Sequence, residues 1–273
     1  GDVAGKLQAA THCFVISNID EVALAKGPSV HFYDPESPVW RAIVDDAYPL
    51  LTELHSCLRK IGPGTYGFNT GHLYDVDNTD PVSLSRALLK GRQMVEQYRD
   101  AFAKYHPAFR EAFLAATGSL LGIRETRRIH GDYMLSLDDY QAGRSFPDGI
   151  CQTAYGIDVH ETKPFDCELT PAMIPALKER NRKQVRALQR GQSLSVPYRC
   201  LTPQGVRNVL VAGRCISTDR ATNGTVRIMA CCLNTGEAAG IGAALAAAGN
   251  ADTHAVDTCE VRRLLKHYGA YLA

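Results

Sequence analysis

The chain has 273 residues, 45% of them hydrophobic and 22% charged, and its 30 Lys and Arg against 29 Asp and Glu leave a formal net charge of +1. That length suffices for a full hydrophobic core in one large domain or two ordinary ones, and balanced charge without a basic block argues against nucleic acid as a partner. The longest apolar stretch, AAGIGAALAAAG, is too short and too rich in Ala and Gly to span a bilayer, so no membrane partner is expected.

Nine cysteines make an odd number in a chain too large to need disulfide staples, and none forms a C-x-x-C pair. Cys231 and Cys232 are adjacent and read as buried small hydrophobes in a reducing, cytoplasmic setting. A thiol-redox role for that pair is the alternative. The nine histidines show no H-x-x-x-H or Cys/His ligand spacing, so no metal site is expected.

In chain order, residues 10–20 (ATHCFVISNID) have the β-branched and aromatic content of a strand, and 29–34 (SVHFYD) reads as its partner. Residues 37–62 carry Trp40, Val44, Ala47, Leu51, Leu54 and Leu58 at helical spacing, stopped by Gly62-Pro63-Gly64. TYGFNTGHLYDVDNTDP then reads as short strands with polar turns. Asp80-Pro81 opens the clearest helix, with Leu84, Leu88, Val95, Tyr98, Phe102 and Tyr105 on one face. A second helix is expected after Pro107 as far as Gly118. GIRETRRIHGDYMLS reads as a strand pair, LDDYQAG as a short helix ended by Gly143, and GICQTAYGIDVHE as a strand. Residues 170–192 read as an exposed helix or long loop. SLSVPYRCLTPQG is extended, and VRNVLVAG reads as a buried strand.

The C-terminal part concentrates the chemistry. The strand NVLVA ends at Gly213, where a missing side chain lets backbone approach a ligand, and ligands of α/β sheets lie beyond the carboxyl ends of strands. Gly213, Arg214 and Cys215 fall there. If a helix starts at Asn234-Thr235-Gly236, its free N–H groups and positive end face the same region. Taken as pattern alone, an ordinary strand-turn-helix with packing glycines is an equal reading.

VPYRCLTPQGVRNVLVAGRCIS followed by TVRIMACCLNTGEAAGIGAALA resembles the C-terminal flavin-contacting segment of FAD-dependent oxidoreductases of the glutathione-reductase-like superfamily. The branch containing succinate dehydrogenase and fumarate reductase flavoproteins is most similar. DPVSLSRALLKGRQ and GIRETRRIHGDYMLSLDDYQAGRSFPDGICQTAYGIDVHE resemble the inserted substrate-side domain of that branch. GDVAG at 1–5 resembles the tail of an Ala-Thr-Gly-Asp-Gly-Asp type segment that closes the first part of the FAD fold, and the resemblance implies that the G-x-G-x-x-G strand-turn-helix that clamps the ADP portion in that family is absent.

The resemblance implies an α+β fold. Residues 1–7 would be the tail of the first FAD-domain half, 8–199 the inserted mixed antiparallel-sheet and helix domain, and 200–273 an incomplete α/β FAD-binding segment. It implies FAD as cofactor and a small-molecule substrate, with hydride transfer between the two in the parent protein. FAD binding by this chain alone is expected to be weak or absent. A homodimer, association with an ADP-binding half in a two-chain enzyme, or a non-catalytic structural domain are the further expectations.

By the same resemblance, Gly213, Arg214 and Cys215 face the ribityl and pyrophosphate region, and Asn234, Thr235 and Gly236 the flavin ring. Arg214 departs from the acidic residue that relatives outside the branch place there. Arg227 falls near flavin or substrate, where a guanidinium fork suits an anion; pairing with a surface acid is the alternative. In RETRRIHGDY, strand alternation puts Arg124, Thr126 and Arg128 on one face, candidates for a pocket, and Glu125, Arg127 and Ile129 on the other. His160 matches a family position towards the flavin, where an imidazole donates a proton or binds an anion; a structural histidine is the alternative.

Overall fold

The computed structural model describes residues 7–31, 34–164, 169–184 and 188–272, with side chains of 180–184 excepted. In chain order its elements are β1 (Phe14–Ser17), α1 (Glu21–Lys26), α2 (Pro38–Val44), β2 (Ser56–Gly62), β3 (Thr65–Thr70), α3 (Pro81–Tyr105), β4 (Phe113–Thr117), α4 (Leu137–Ala142), β5 (Gly149–Thr153), α5 (Ile174–Gln184), β6 (Leu194–Pro197), α6 (Arg220–Val226), α7 (Met229–Ala248) and α8 (Thr258–His267). The fold is α+β. Among the described residues, no single helix is long and apolar enough to cross a membrane.

Backbone packing divides the chain into two compact units that interleave in sequence: Leu7–Arg124 with His160–Asn181, and Glu125–Val159 with Arg182–Ala273. The sequence division at 199/200 follows a family resemblance, whereas this one follows packing.

In the first unit a four-stranded antiparallel sheet has the order β2-β3-β1-β4. The aromatic stack of Phe14 on Phe68 crosses β1 and β3 with ring centroids 4.9 Å apart, and α3 covers it with Met94, Val95, Tyr98 and Phe102. Asp80 caps α3 by accepting from the Val82 and Ser83 amides, and Pro81 at the first helical position has no N–H to lose. Gly91 lets α3 lie against His12, since a methyl group there would sit 2.8 Å from the His12 Cβ. Trp40 of α2 packs with Leu54 and Leu177 of α5 in a satellite cluster.

The second unit is built around α7. Its small residues lie against β5, and its core joins Leu135, Tyr140, Ile150, Leu194, Val196, Tyr198, Val261 and Leu265. Asp219 fixes the approach: one carboxylate oxygen caps α6 at the Thr222 amide (2.7 Å) and the other takes the Leu137 amide at the start of α4 (2.7 Å). α4 has a reciprocal cap between Ser136 and Asp139 and ends at Gly143 in the left-handed conformation, as its sequence predicts.

Several expectations are corrected. The helix read over 37–62 stops at Val44: Asp46 adopts φ +48° and Tyr48 precedes Pro49, which disfavours helical backbone. Its last part is β2, because pairing with β3 gives those residues a ladder. The helix after Pro107 is a single turn, Pro107–Phe109, followed by β4, which supplies the second ladder of β1. Tertiary pairing outweighs the helical preference of the Ala residues there. Residues 29–31 are not a strand, and 32–33 lie outside the described residues, as does GDVAG. GIRETRRIHGDYMLS is extended but forms isolated bridges only, Gly122 to Thr11, Gly131 to Pro203 and Leu135 to Thr218. The expected strand at VRNVLVAG is likewise absent: Val211 donates to the Leu201 carbonyl (2.8 Å), but no ladder forms, and Val209 is 40% exposed.

His12 is fully buried, and both ring nitrogens lack a hydrogen-bond partner. Burial, and secondarily the Arg92 charge, push its pKa below the ordinary histidine value. The unfolded chain therefore binds a proton that the folded chain refuses, so this contribution to stability is complete above about pH 6.5 and falls away as pH drops towards the folded pKa. His12→Leu is expected to flatten the acid side of the stability–pH curve, while His31 and His106, also lowered by burial, retain their share; urea midpoints between pH 5 and 8 read this out. At Gly242 a methyl group would meet the Tyr198 hydroxyl at 2.5 Å. Gly242→Ala is therefore expected to lower stability by about 1–2 kcal/mol, overpacking outweighing the gain in helix propensity.

Candidate functional site

The second unit presents the first cluster. Gly213 opens a single 3₁₀ turn, Gly213–Cys215, with φ +77°, a conformation that favours glycine. Its N–H donates to the Thr235 hydroxyl at 3.0 Å, and that hydroxyl donates in turn to the Cys231 carbonyl at 2.9 Å. The glycine turn is thus fastened to the first turns of α7, and a side chain on Gly213 would point at the Cys232 thiol.

α7 begins at Met229, five residues before the sequence expectation, with Ile228 in the capping position and no side-chain cap. The ladder of α7 starts with the bond from the Cys232 amide to the Ile228 carbonyl, so the donors at the helix start belong to Met229, Ala230 and Cys231. Asn234, Thr235 and Gly236 lie inside the helix, where their N–H groups serve its own ladder. They offer side chains and surface instead: the Asn234 amide reaches the Cys151 thiol (3.7 Å), Thr235 holds Gly213, and Gly236 is exposed with open space around it.

Two guanidinium groups join the helix start. Burial pushes the Cys232 thiol up, and the nearby positive charges of Arg214 and Arg227 pull against that. Arg214 and Cys215 are exposed. Arg227 is largely buried, its Nη2 donating to both the carbonyl and the carboxylate of Asp158 at 2.8 Å, so the pairing alternative is realised for one edge of the fork. Cys231 sits beside Cys151; the hydrogen bond between the thiols and their burial raise Cys151. All eight described cysteines are free thiols.

The Arg-rich segment differs from strand alternation. Glu125, expected on a solvated face, is buried, with Arg128 Nη1 at 3.1 Å and Arg220 Nε at 3.6 Å from its two oxygens. Arg128 also donates to the Thr218 carbonyl (3.1 Å). Because the segment is not in a ladder, it is free to turn an acid inwards against two cations. Arg124, in the other unit, donates to the Ala9 carbonyl.

The first unit holds the second cluster, around His160. Its Nδ1 lies 2.9 Å from His72 Nε2, and His72 Nδ1 lies 2.5 Å from Glu53 Oε2 and 3.3 Å from the Tyr74 hydroxyl. His55 packs edge-on against His160. Glu53, His72 and Tyr74 have no role in the sequence reading. The available signal was the alternation of His72 and Tyr74 on one side of an extended segment. Among the described residues, no group of His, Cys, Asp and Glu is arranged to hold a metal ion.

A family model described as FAD dependent oxidoreductase matches residues 1–265. The chain belongs to that family. No curated protein and no solved structure matches it closely enough to add to this assignment. As a member of an FAD-dependent family, the chain can be tested for fit to a flavin by its own donors. The Gly213 turn, the uncapped start of α7 and the two arginines form a compact electropositive set, which suits a group that gains negative charge on reduction.

Glu125 holds two arginines of this unit in place. Glu125→Gln is expected to destabilise the chain by about 3 kcal/mol, because it leaves buried guanidinium charge uncompensated. Urea unfolding of the purified variant measures the loss.

Proposed function

We propose that this chain takes part in an FAD-dependent oxidation, in which hydride passes between a small substrate and the flavin. The observation that carries the proposal is the fastening of the Gly213 turn to the uncapped, Arg-flanked start of α7 by Thr235. In this reading Gly213, Arg214, Cys215 and the α7 residues Asn234, Thr235 and Gly236 contact the flavin. Bound there, FAD supplies the two-electron chemistry, and the chain's donors orient it and stabilise the charge of its reduced form. Arg227 steadies the start of α7 through Asp158 and keeps part of its fork for an anion; Arg128 holds the backbone at Thr218. His160 handles the proton that accompanies hydride transfer. The free thiols suit a reducing compartment such as the cytoplasm.

With ring-side donors and no phosphate-binding glycine turn in the sequence, the chain by itself binds FAD weakly. A second reading, one chain of a two-chain flavoenzyme or a structural domain that associates through this face, draws on the exposed apolar side chains Val206, Val209, Met229 and Leu233.

A flavin titration by fluorescence quenching tests the first reading. FMN and FAD are expected to bind with affinities within about fivefold of each other, since the adenosine adds about 1 kcal/mol or less when only the ring end is held. Tight FAD binding without FMN binding, or no quenching by either, is the result against it. Gly236→Ala is expected to split stability from binding: the fold gains up to about 1 kcal/mol, while flavin affinity falls.

A further inference from the structure

We propose that His254 is a protonation-gated pin: as an imidazolium it clasps the turn at 203–206 to Asp132, and losing one ring proton releases the turn. The device is separate from the flavin reading and does not use it. Residues 203–212 run into the Gly213 turn without forming a ladder, and Val206 and Val209 are exposed, so apolar packing does little to hold them. Polar fastenings take its place. The Gln204 amide donates to the His130 carbonyl and the Val211 amide to the Leu201 carbonyl, both at 2.8 Å. Consecutive side chains of one 3₁₀ turn, Thr253–Ala255 with its cap Asp252, do the rest. Asp252 Oδ2 accepts from Arg207 Nε at 2.7 Å, Thr253 Oγ1 donates to the Val209 carbonyl at 3.3 Å, and His254 Nε2 lies 3.0 Å from the Val206 carbonyl.

The acceptors around His254 fix its protons. Its Nδ1 lies 2.7 Å from Asp132 Oδ2 while Nε2 faces the Val206 carbonyl. A carboxylate and a carbonyl oxygen only accept, so both ring nitrogens donate, and a ring with two N–H groups carries a positive charge. His106 shows the contrast: its Nδ1 accepts from the Ala108 amide and its Nε2 faces the Pro28 carbonyl, so one proton satisfies it. Asp132 is the fixed end of the pin. Its carboxylate accepts from the Thr202 hydroxyl at 2.7 Å, and its amide donates to the Thr202 carbonyl at 3.0 Å. When His254 gives a proton to water, one N–H bond breaks and its electron pair stays on that nitrogen. The bare nitrogen then faces an oxygen lone pair, so one of the two contacts opens. Rebinding of the proton restores it.

The charged groups that face the ring are Asp132, from the segment after Gly131, and Asp252, from the ring's own turn. The Val206 carbonyl first, and then the Asp132 hydrogen bond, hold the His254 pKa above the ordinary histidine value; slight burial pulls it down, and the charges of Asp132 and Asp252 add to the rise. Arg207, the cation of the held turn, is engaged by Asp252, whose carboxyl is kept below the usual range by the His254 amide and by Arg207. A hollow of about 570 Å³ borders these groups, so water reaches the ring. The clasp is therefore complete below about pH 6.5 and is lost as pH rises through the folded midpoint, the reverse of His12.

The test is nitrogen-resolved NMR of the His254 ring, with amide hydrogen exchange, on the full chain across pH 5–9. Expected in wild type are two protonated ring nitrogens at about pH 6 and a midpoint above the ordinary histidine value of 6.5. Protection of the Gln204, Val206 and Val211 amides, corrected for intrinsic exchange, is expected to fall about two- to fivefold through that midpoint, the range of an exposed ion pair, while amides inside α3 show no such step. Asp132→Asn, which keeps an acceptor and removes the charge, is expected to lower the midpoint. His254→Ala is expected to leave the same amides at the weaker protection at every pH. A ring already neutral at about pH 6, a midpoint unmoved by Asp132→Asn, or wild-type protection that ignores the midpoint overturns the pin. Should either variant fail to fold, the wild-type ring signals and exchange profile decide alone. Failure of flavin binding would remove the redox reading and leave both measurements as they are.

Discussion

Thr235 lies in the second turn of α7, where its hydroxyl takes the Gly213 N–H and passes its own proton to the Cys231 carbonyl. A hydroxyl is one of the few groups that accept and donate at once, so one side chain joins a left-handed glycine turn to a helix without a second partner. The turn supplies Arg214 and Cys215, and the helix supplies its uncapped start. Neither would be held against the other by packing alone, because the small residues of α7 provide little side-chain area. The proposed cofactor end therefore depends on a hydrogen bond that no apolar substitution can replace.

The same unit holds its charges inside. Glu125 is buried between Arg128 and Arg220, and Asp158 binds Arg227 through both its carbonyl and its carboxylate. Buried pairs of this kind stabilise little relative to apolar side chains of equal volume, yet losing one partner is expensive. Their effect is positional: they fix the guanidinium groups in one orientation, as a site for anions needs. His12 shows the opposite solution, an imidazole kept neutral and without partners at the cost of acid sensitivity.

Family membership and site geometry bear on different parts of the chain. The match over residues 1–265 states what kind of protein this is, and the donors around α7 carry the proposal of where a flavin would lie.

The sequence by itself determined the α+β class, the long helix α3 with its Asp80-Pro81 start, the Gly143 stop of α4, β5, and the family. Each of these is local: a cap, a left-handed glycine or a periodic apolar face acts within a few residues of itself. Only the tertiary structure decided the rest. Residues 56–62 and 113–117 have helical spacing or composition and become strands because β3 and β1 offer them ladders, whereas 208–212 have a strand's composition and form none, because no ladder is offered. The start of α7 moved from Asn234 to Met229 for a related reason, since packing on β5, with Cys231 beside Cys151, holds the extra turn without a capping side chain. Glu125 turned inward because two arginines distant in sequence or off the expected face await it, and Glu53 and His72 reached His160 across more than eighty residues. Contacts of that range carry no periodicity, so no reading of spacing reveals them.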